Sequence, residues 1–125
     1  MKSFKNLKVW EKSHTLVLAI YNVTANFPKE EMYNLTSQIR RAAVSIPGNI
    51  AEGCGRGGDG EMKRFLQISM GSASELEYFL QLSYELKYLS ETDYAALSEG
   101  VIEIKKMLAP FIHKLTIEKY QRIEA

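Results

Sequence analysis

Apolar residues recur along the chain at intervals of three and four rather than two, the spacing of one face of an α-helix. In the first segment Phe4, Leu7, Trp10, His14, Val17, Tyr21 and Thr24 form such a stripe, and Leu16, Ile20, Val23 and Phe27 widen it. The stripe stops at Phe27-Pro28, because a residue preceding proline resists helical geometry. It predicts a helix from about Asn6 to Asn26. Leu35, Ile39, Ala42, Ala43, Ile46 and Ile50 predict a second helix from Asn34 to Glu52, with the Asn34 side chain as N-cap. Pro47 falls inside it and lacks a backbone donor, so a kink is expected near Ala43 to Ile46. Ala42, Ala43 and Gly48 are small enough to admit a neighbouring helix. Five of the eight residues from Gly53 to Gly60 are glycine, which predicts a break.

Asp59 is expected to cap a third helix, running to about Leu89 on Phe65, Ile68, Ser69, Ser72, Leu76, Phe79, Ser83, Leu86 and Leu89. Ser90-Glu-Thr-Asp93 has the form of a capping box. A fourth helix follows on Tyr94, Leu97, Val101, Ile104, Leu108, Phe111, Ile112 and Leu115, bent at Pro110. At 1.5 Å per residue the last two helices should each be about 40 Å long. No strand alternation, repeat or linker appears. Short connections make sequential helices antiparallel neighbours. The expected fold is all-α, one domain over residues 1–125, an antiparallel up-down-up-down four-helix bundle.

Composition narrows the function classes. Hydrophobic residues make up 46% and charged residues 25% of the 125 residues, which is neither a disordered nor a membrane balance. No apolar run approaches the roughly 20 residues that span a bilayer. Lys2, Lys5, Lys8 and Lys12 interrupt the N-terminal segment where a signal peptide would be continuously apolar, so a cytoplasmic location is expected. The single cysteine, Cys54, permits no internal disulfide. Sequons at Asn22 and Asn34 then carry no glycan.

Net charge is only +1, but an antiparallel bundle sorts it. The end holding residues 1–15, 48–68 and 106–125 has eleven positive and six negative residues, a balance of +5. The remainder has five against nine, a balance of −4. A basic end of this kind can meet a polyanion such as RNA. The residues expected there are Lys8, Lys12, Arg56, Lys63, Arg64 and Lys119. The plain alternative is ordinary solvated surface. Arg40 and Arg41 flank the apolar stripe of the second helix, so one must point outward and the other pairs with an acidic residue or reaches a partner; both are candidates for an oligomer or partner interface.

Catalytic chemistry finds little footing. Gly55-Arg-Gly57-Gly-Asp-Gly60 matches a dinucleotide-binding fingerprint in letters, but it follows a helix where the fingerprint needs a strand. A phosphate at the start of the third helix, beside Arg56, Lys63 and Arg64, is a milder reading, set against a plain helix connection. His14 and His113 could approach one another, yet two histidines without further ligands do not make a metal site. Cys54 is expected in a mobile loop without a histidine nearby, and Glu52 lacks a carboxylate partner. Phe4, Trp10, Tyr21, Phe65, Phe79 and Phe111 read as core. No catalytic residue, cofactor or metal is expected.

Three stretches carry a resemblance: Phe4-Lys-Asn-Leu-Lys-Val-Trp10, Tyr33-Asn-Leu-Thr-Ser-Gln-Ile-Arg-Arg-Ala-Ala-Val-Ser-Ile-Pro-Gly-Asn-Ile-Ala-Glu-Gly53 and Phe65-Leu-Gln-Ile-Ser-Met-Gly-Ser-Ala-Ser-Glu-Leu76. They resemble the bacterial four-helix-bundle proteins called 23S rRNA intervening-sequence proteins, some of which are labelled ribosomal proteins. That family is similar to the accessory variability proteins of diversity-generating retroelements, homopentameric bundles that bind reverse transcriptase and RNA through basic surface. The resemblance implies a pentameric ring of non-catalytic bundles and supplies no catalytic residue. This chain is far less basic than the retroelement proteins. Two roles follow: RNA association through the basic end, or a protein–protein scaffold without nucleic acid.

Overall fold

The computed structural model describes the backbone of residues 3–124 and the side chains of residues 3–118. Among these the chain forms four long helices and no strand: α1 (Lys8–Thr24), α2 (Leu35–Gly55), α3 (Asp59–Glu85) and α4 (Glu91–Glu124). Single 3-10 turns at Phe4–Asn6 and Lys29–Glu31 precede α1 and α2. α1 packs on α2 and α4, and so does α3, so the four close into a square consistent with a four-helix bundle. α4 has 34 residues, about 50 Å at a 1.5 Å rise and longer than the spacing suggested.

The core is aliphatic. Ile20, Ile39, Ile46, Ile50, Met62, Leu66, Leu76, Leu80, Ile104 and Leu108 are all sealed from water. The expected stripe of α2 lies in this core, with that of α4 at Leu97, Val101, Ile104, Leu108 and Leu115. α1 is turned differently. Its buried residues are Val9, Ser13, Leu16, Val17, Ile20 and Thr24, while His14 and Tyr21 are exposed and Trp10 is half-buried. Ser13 and Thr24 tolerate the core because their hydroxyls donate to the Trp10 and Ile20 carbonyls, at 2.9 and 2.7 Å. The bulky rings stay at the edge, where their polar atoms reach water. In α3, Met62, Leu66, Ala73 and Leu80 take core places, and Ile68 and Leu86 face outward. Of the aromatic set expected inside, only Phe65 is buried; Phe4, Phe79 and Phe111 are half-buried.

α2 and α3 share the tightest seam. Ser69 Oγ donates to the Ile46 carbonyl at 2.9 Å, Ser45 and Ser72 hydroxyls meet at 2.7 Å, and Gly53 lies against Met62 and Phe65. These contacts run in opposite directions along the two helices. Of the small residues expected to admit a neighbouring helix, Ala42 and Ala43 are buried, whereas a Cβ on Gly48 would meet nothing within 4 Å; the glycine pressed against α3 is Gly53. The glycine-rich break is also shorter than expected. α2 continues through Gly55, and α3 begins at Asp59 with Gly58 in the N-cap place. Packing of Gly53 against α3 overrides the weak helical preference of glycine. Gly57 has φ +80° and makes the turn.

At the other end, α3 stops at Glu85 rather than Leu89. Lys87 adopts φ 67°, the Lys87 N–H donates to the Tyr84 carbonyl, and the Tyr88 N–H donates to the Ser83 carbonyl. This is a Schellman stop with lysine in the place glycine usually holds. Ser90 Oγ then caps α4 by accepting the Asp93 N–H at 3.0 Å. Asn34 occupies the N-cap of α2 without a side-chain bond; the Glu31 carboxylate accepts the Leu35 N–H instead, at 3.4 Å.

Candidate functional site

The basic residues expected at one end of the bundle divide into two groups. Arg56, at the C-cap of α2, and Arg64, in the second turn of α3, converge on the ring of Phe65, with guanidinium carbons 5.2 and 4.4 Å from its centroid. Lys63 is half-buried on the same turn of α3. Each arginine is also tied to a carboxylate: Arg56 Nε donates to Glu52 at 3.0 Å, and Arg64 Nε to Glu61 at 2.9 Å. The bond from Arg64 holds the Glu61 carboxyl below its usual range. With Asp59 beside them, three positive residues face three negative ones, so the corner is locally neutral.

Lys8 and Lys12 lie on another flank, in a groove of about 450 Å³ between α1 and α4 floored by Leu16, Ala19, Ala96 and Gly100. Lys12 pairs with Glu103 at 2.6 Å. Glu103 falls in the acidic half by sequence position, so this pair crosses the expected charge boundary and reduces the contrast between the ends. The Lys119 side chain, with those of Lys2, Arg122 and Glu124, lies outside the described residues.

A feature that the spacing did not single out runs along α1 and α2. Phe4, Trp10, His14, Val17, Val44, Pro47, Gly48 and Ala51 line an open groove of about 280 Å³ that is almost wholly apolar. Phe4 meets Trp10 edge-on at 5.0 Å, and His14 stacks on Trp10 at 5.1 Å. The same face continues past Val44 to Tyr21, Met32 and Tyr33. Val44, Tyr21, Met32 and the neighbouring Leu18 are exposed large apolar residues. Trp10, His14 and Tyr21 sit on the helical stripe, and their place at its edge is visible only once the core is packed.

Other candidates are dispersed. His113 is exposed in a depression between α3 and α4 with Gln67 and Met70, on a different face from His14. Cys54 belongs to the last turn of α2, half-buried against the core rather than in a loop, and burial pushes its thiol pKa up. No group of three or more His, Cys, Asp or Glu among the described residues is placed to hold a metal ion. No helix among them is long and apolar enough to cross a membrane. Arg40 is committed to α1: its Nε donates to Thr24 Oγ1 at 2.9 Å, and its guanidinium lies 4.6 Å over the Tyr21 ring. Arg41 is the outward-pointing partner of the two.

Comparison with known proteins gives a consistent placement. The sequence model described as 23S rRNA-intervening sequence protein matches residues 5–110. A solved structure from Bacteroides thetaiotaomicron, a protein of unknown function from the S23 ribosomal protein family, superposes with a TM-score of 0.78 at 27% identity. The match covers 84% of this chain and 95% of that one. No curated protein matches the chain.

Proposed function

The chain belongs to the 23S rRNA-intervening sequence protein family, and from that premise we propose that it is a non-catalytic assembly protein. In this reading it is an up-down-up-down bundle that joins copies of itself through the α1–α2 face. The observation that carries the reading is the continuous apolar groove from Phe4 through Trp10 and Val17 to Val44 and Pro47. Covering apolar area yields about 25 cal/mol per Å², so a strip of this kind gains from a partner that takes it out of water. Aromatic residues at its centre and charges outside it match the composition of protein interfaces. A cyclic ring fits a chain whose two flanks differ, and the family resemblance suggests five members.

Trp10 is the single tryptophan and lies in the groove, so it reports on assembly directly. Its emission should move to shorter wavelength as protein concentration rises and the groove is covered. Emission independent of concentration, together with a monomeric mass, would contradict the reading.

RNA association is a second reading, favoured by the Arg56–Phe65–Arg64 corner. Ion pairs and the ring hold both guanidiniums in place while leaving their outer N–H groups available, next to the start of α3. Its weakness is the local neutrality of that corner. Anisotropy of a labelled RNA at about 50 and 200 mM salt tests it, since phosphate contacts weaken steeply with salt. Binding that falls with salt and is lost in an Arg56→Glu/Arg64→Glu variant supports the reading. Absence of binding at the lower salt removes it.

A further inference from the structure

Beyond Val44, at the end of the α1–α2 face remote from Phe4, a recess of about 620 Å³ opens among Tyr21, Met32, Tyr33, Arg40, Arg41 and Val44. Its walls are of two kinds. Tyr33 is 93% exposed, and Met32 and Tyr21 are exposed beside it, so an apolar shelf stands in water just before α2. Facing the shelf are two consecutive guanidiniums. That of Arg40 is fixed by its bond to Thr24 Oγ1, by Nη2 donating to the Tyr21 carbonyl at 3.5 Å, and by the Tyr21 ring. Those bonds use two of its five N–H donors, which leaves an oriented edge free. Arg41 is exposed and forms no ion pair among the described residues.

The complement of two adjacent guanidiniums is a carboxylate or phosphate, and the surroundings choose between them. Glu30 and Glu31 lie on the turn before the recess, and Glu75 shares the next flank with Arg41. This half of the molecule is the acidic one by sequence. A continuous polyanion, whose charge extends past the two arginines, is disfavoured by acidic flanks of this kind. A short peptide whose one or two carboxylates end on the arginines carries no charge beyond them and suits the recess better. We propose that the recess receives an acidic peptide segment of a partner protein, with its carboxylate on Arg41 and the free edge of Arg40. An aromatic or aliphatic side chain of that segment lies on Tyr33 and Met32. The proposal rests on the assembly reading only in treating the α1–α2 face as a binding face, and it adds a second kind of partner.

The test is fluorescence anisotropy of the full chain against an array of labelled hexapeptides carrying two carboxylates and one aromatic residue. Each hexapeptide is paired with a counterpart in which amides replace the carboxylates. The expected result is that a subset of the acidic peptides binds and the amide counterparts do not. Arg41→Glu should weaken binding at least about tenfold, as loss of a charge-paired contact does. Tyr33→Ala should weaken it severalfold. Both side chains are exposed, and an unchanged circular dichroism spectrum verifies that the variants fold. Three results overturn the proposal: no acidic peptide exceeding its amide counterpart, equal binding by Arg41→Glu, or displacement of the peptide by a single-stranded RNA whose own binding needs Arg41. The last would assign the recess to nucleic acid. Light scattering on the same samples reports assembly separately, so a failed peptide site and a failed assembly reading are told apart.

Discussion

At Gly53 an added Cβ would lie 2.9 Å from Met62 Sδ and 3.0 Å from Phe65 Cβ, and 3.4 Å from the Met62 backbone. The Met62 thioether can shift, and the 3.4 Å approach to its backbone is ordinary contact, but Phe65 Cβ is fixed to the α3 backbone and can give way only if that helix moves. Gly53→Ala is expected to lower stability by about 1–3 kcal/mol in urea denaturation, the usual effect of overpacking. Gly48→Ala, with open space at the same atom within the chain, should be neutral or gain about 0.5–1 kcal/mol when denatured at a concentration where the chain is monomeric, since alanine is the better helix former. The two glycines look alike in the sequence; only the position of α3 distinguishes them. Lys87 presents the converse case, a side chain in the left-handed region at φ 67°. Lys87→Gly should stabilise by about 0.5–1 kcal/mol, because the left-handed conformation costs a non-glycine residue about 1–2 kcal/mol and the extra freedom of glycine in the unfolded chain offsets part of that. A lower unfolding midpoint for that variant would show that the lysine side chain contributes something the Schellman geometry does not explain.

At the scale of elements, the two loops at one end are joined by Glu31. Its carboxylate accepts the Leu35 N–H at the start of α2 and the Tyr88 hydroxyl, at 3.1 Å, from the turn between α3 and α4. The hydrogen bond to Glu31 raises the Tyr88 pKa above the ordinary phenol value of 10.0, with burial adding to it. A pKa raised on folding means stability that is complete below the ordinary phenol value and is lost as pH climbs from there through the raised native value. Denaturation midpoints measured from about pH 8 to 11 should fall more for wild type than for Tyr88→Phe. Equal slopes would mean that the bond does not couple the loops.

How far such elements could be read in advance varied with the helix. The α2 stripe was legible because Leu35, Ile39, Ala42, Ala43, Ile46 and Ile50 recur at the helical period and all fall in the core. α1 was legible in period but not in phase. Trp10, His14 and Tyr21 count as apolar by type, whereas Ser13 and Thr24 count as polar yet enter the core by bonding their own backbone. The glycine run concealed the true helix ends for a related reason: packing, not propensity, decided them. The candidate basic residues could be named from charge alone. Their carboxylate partners at i+3, i+4 and across α1–α4 needed the fold, and so did the apolar face.

For the whole molecule, the spacing of charge suggested a basic end, and the folded chain distributes it. Arg56, Arg64 and Lys12 each hold a carboxylate, and the last pair spans both halves of the sequence-based division. Long-range attraction of a polyanion is correspondingly reduced. Among the described residues the apolar strip of α1 and α2 lies open to solvent, and the reading of this protein as an assembly module depends on that strip being covered by another copy. The direct measurement is the mass in solution by light scattering, for wild type and for Val44→Glu. Val44 is 44% exposed, so the change leaves the bundle intact while placing a charge in the proposed contact. The account predicts a wild-type mass that is a multiple of the 14.2 kDa chain, fivefold if the family resemblance extends to the ring, and a single-chain mass for the variant. A wild-type mass of one chain at every concentration tested, or a variant that assembles as well as wild type, would contradict it.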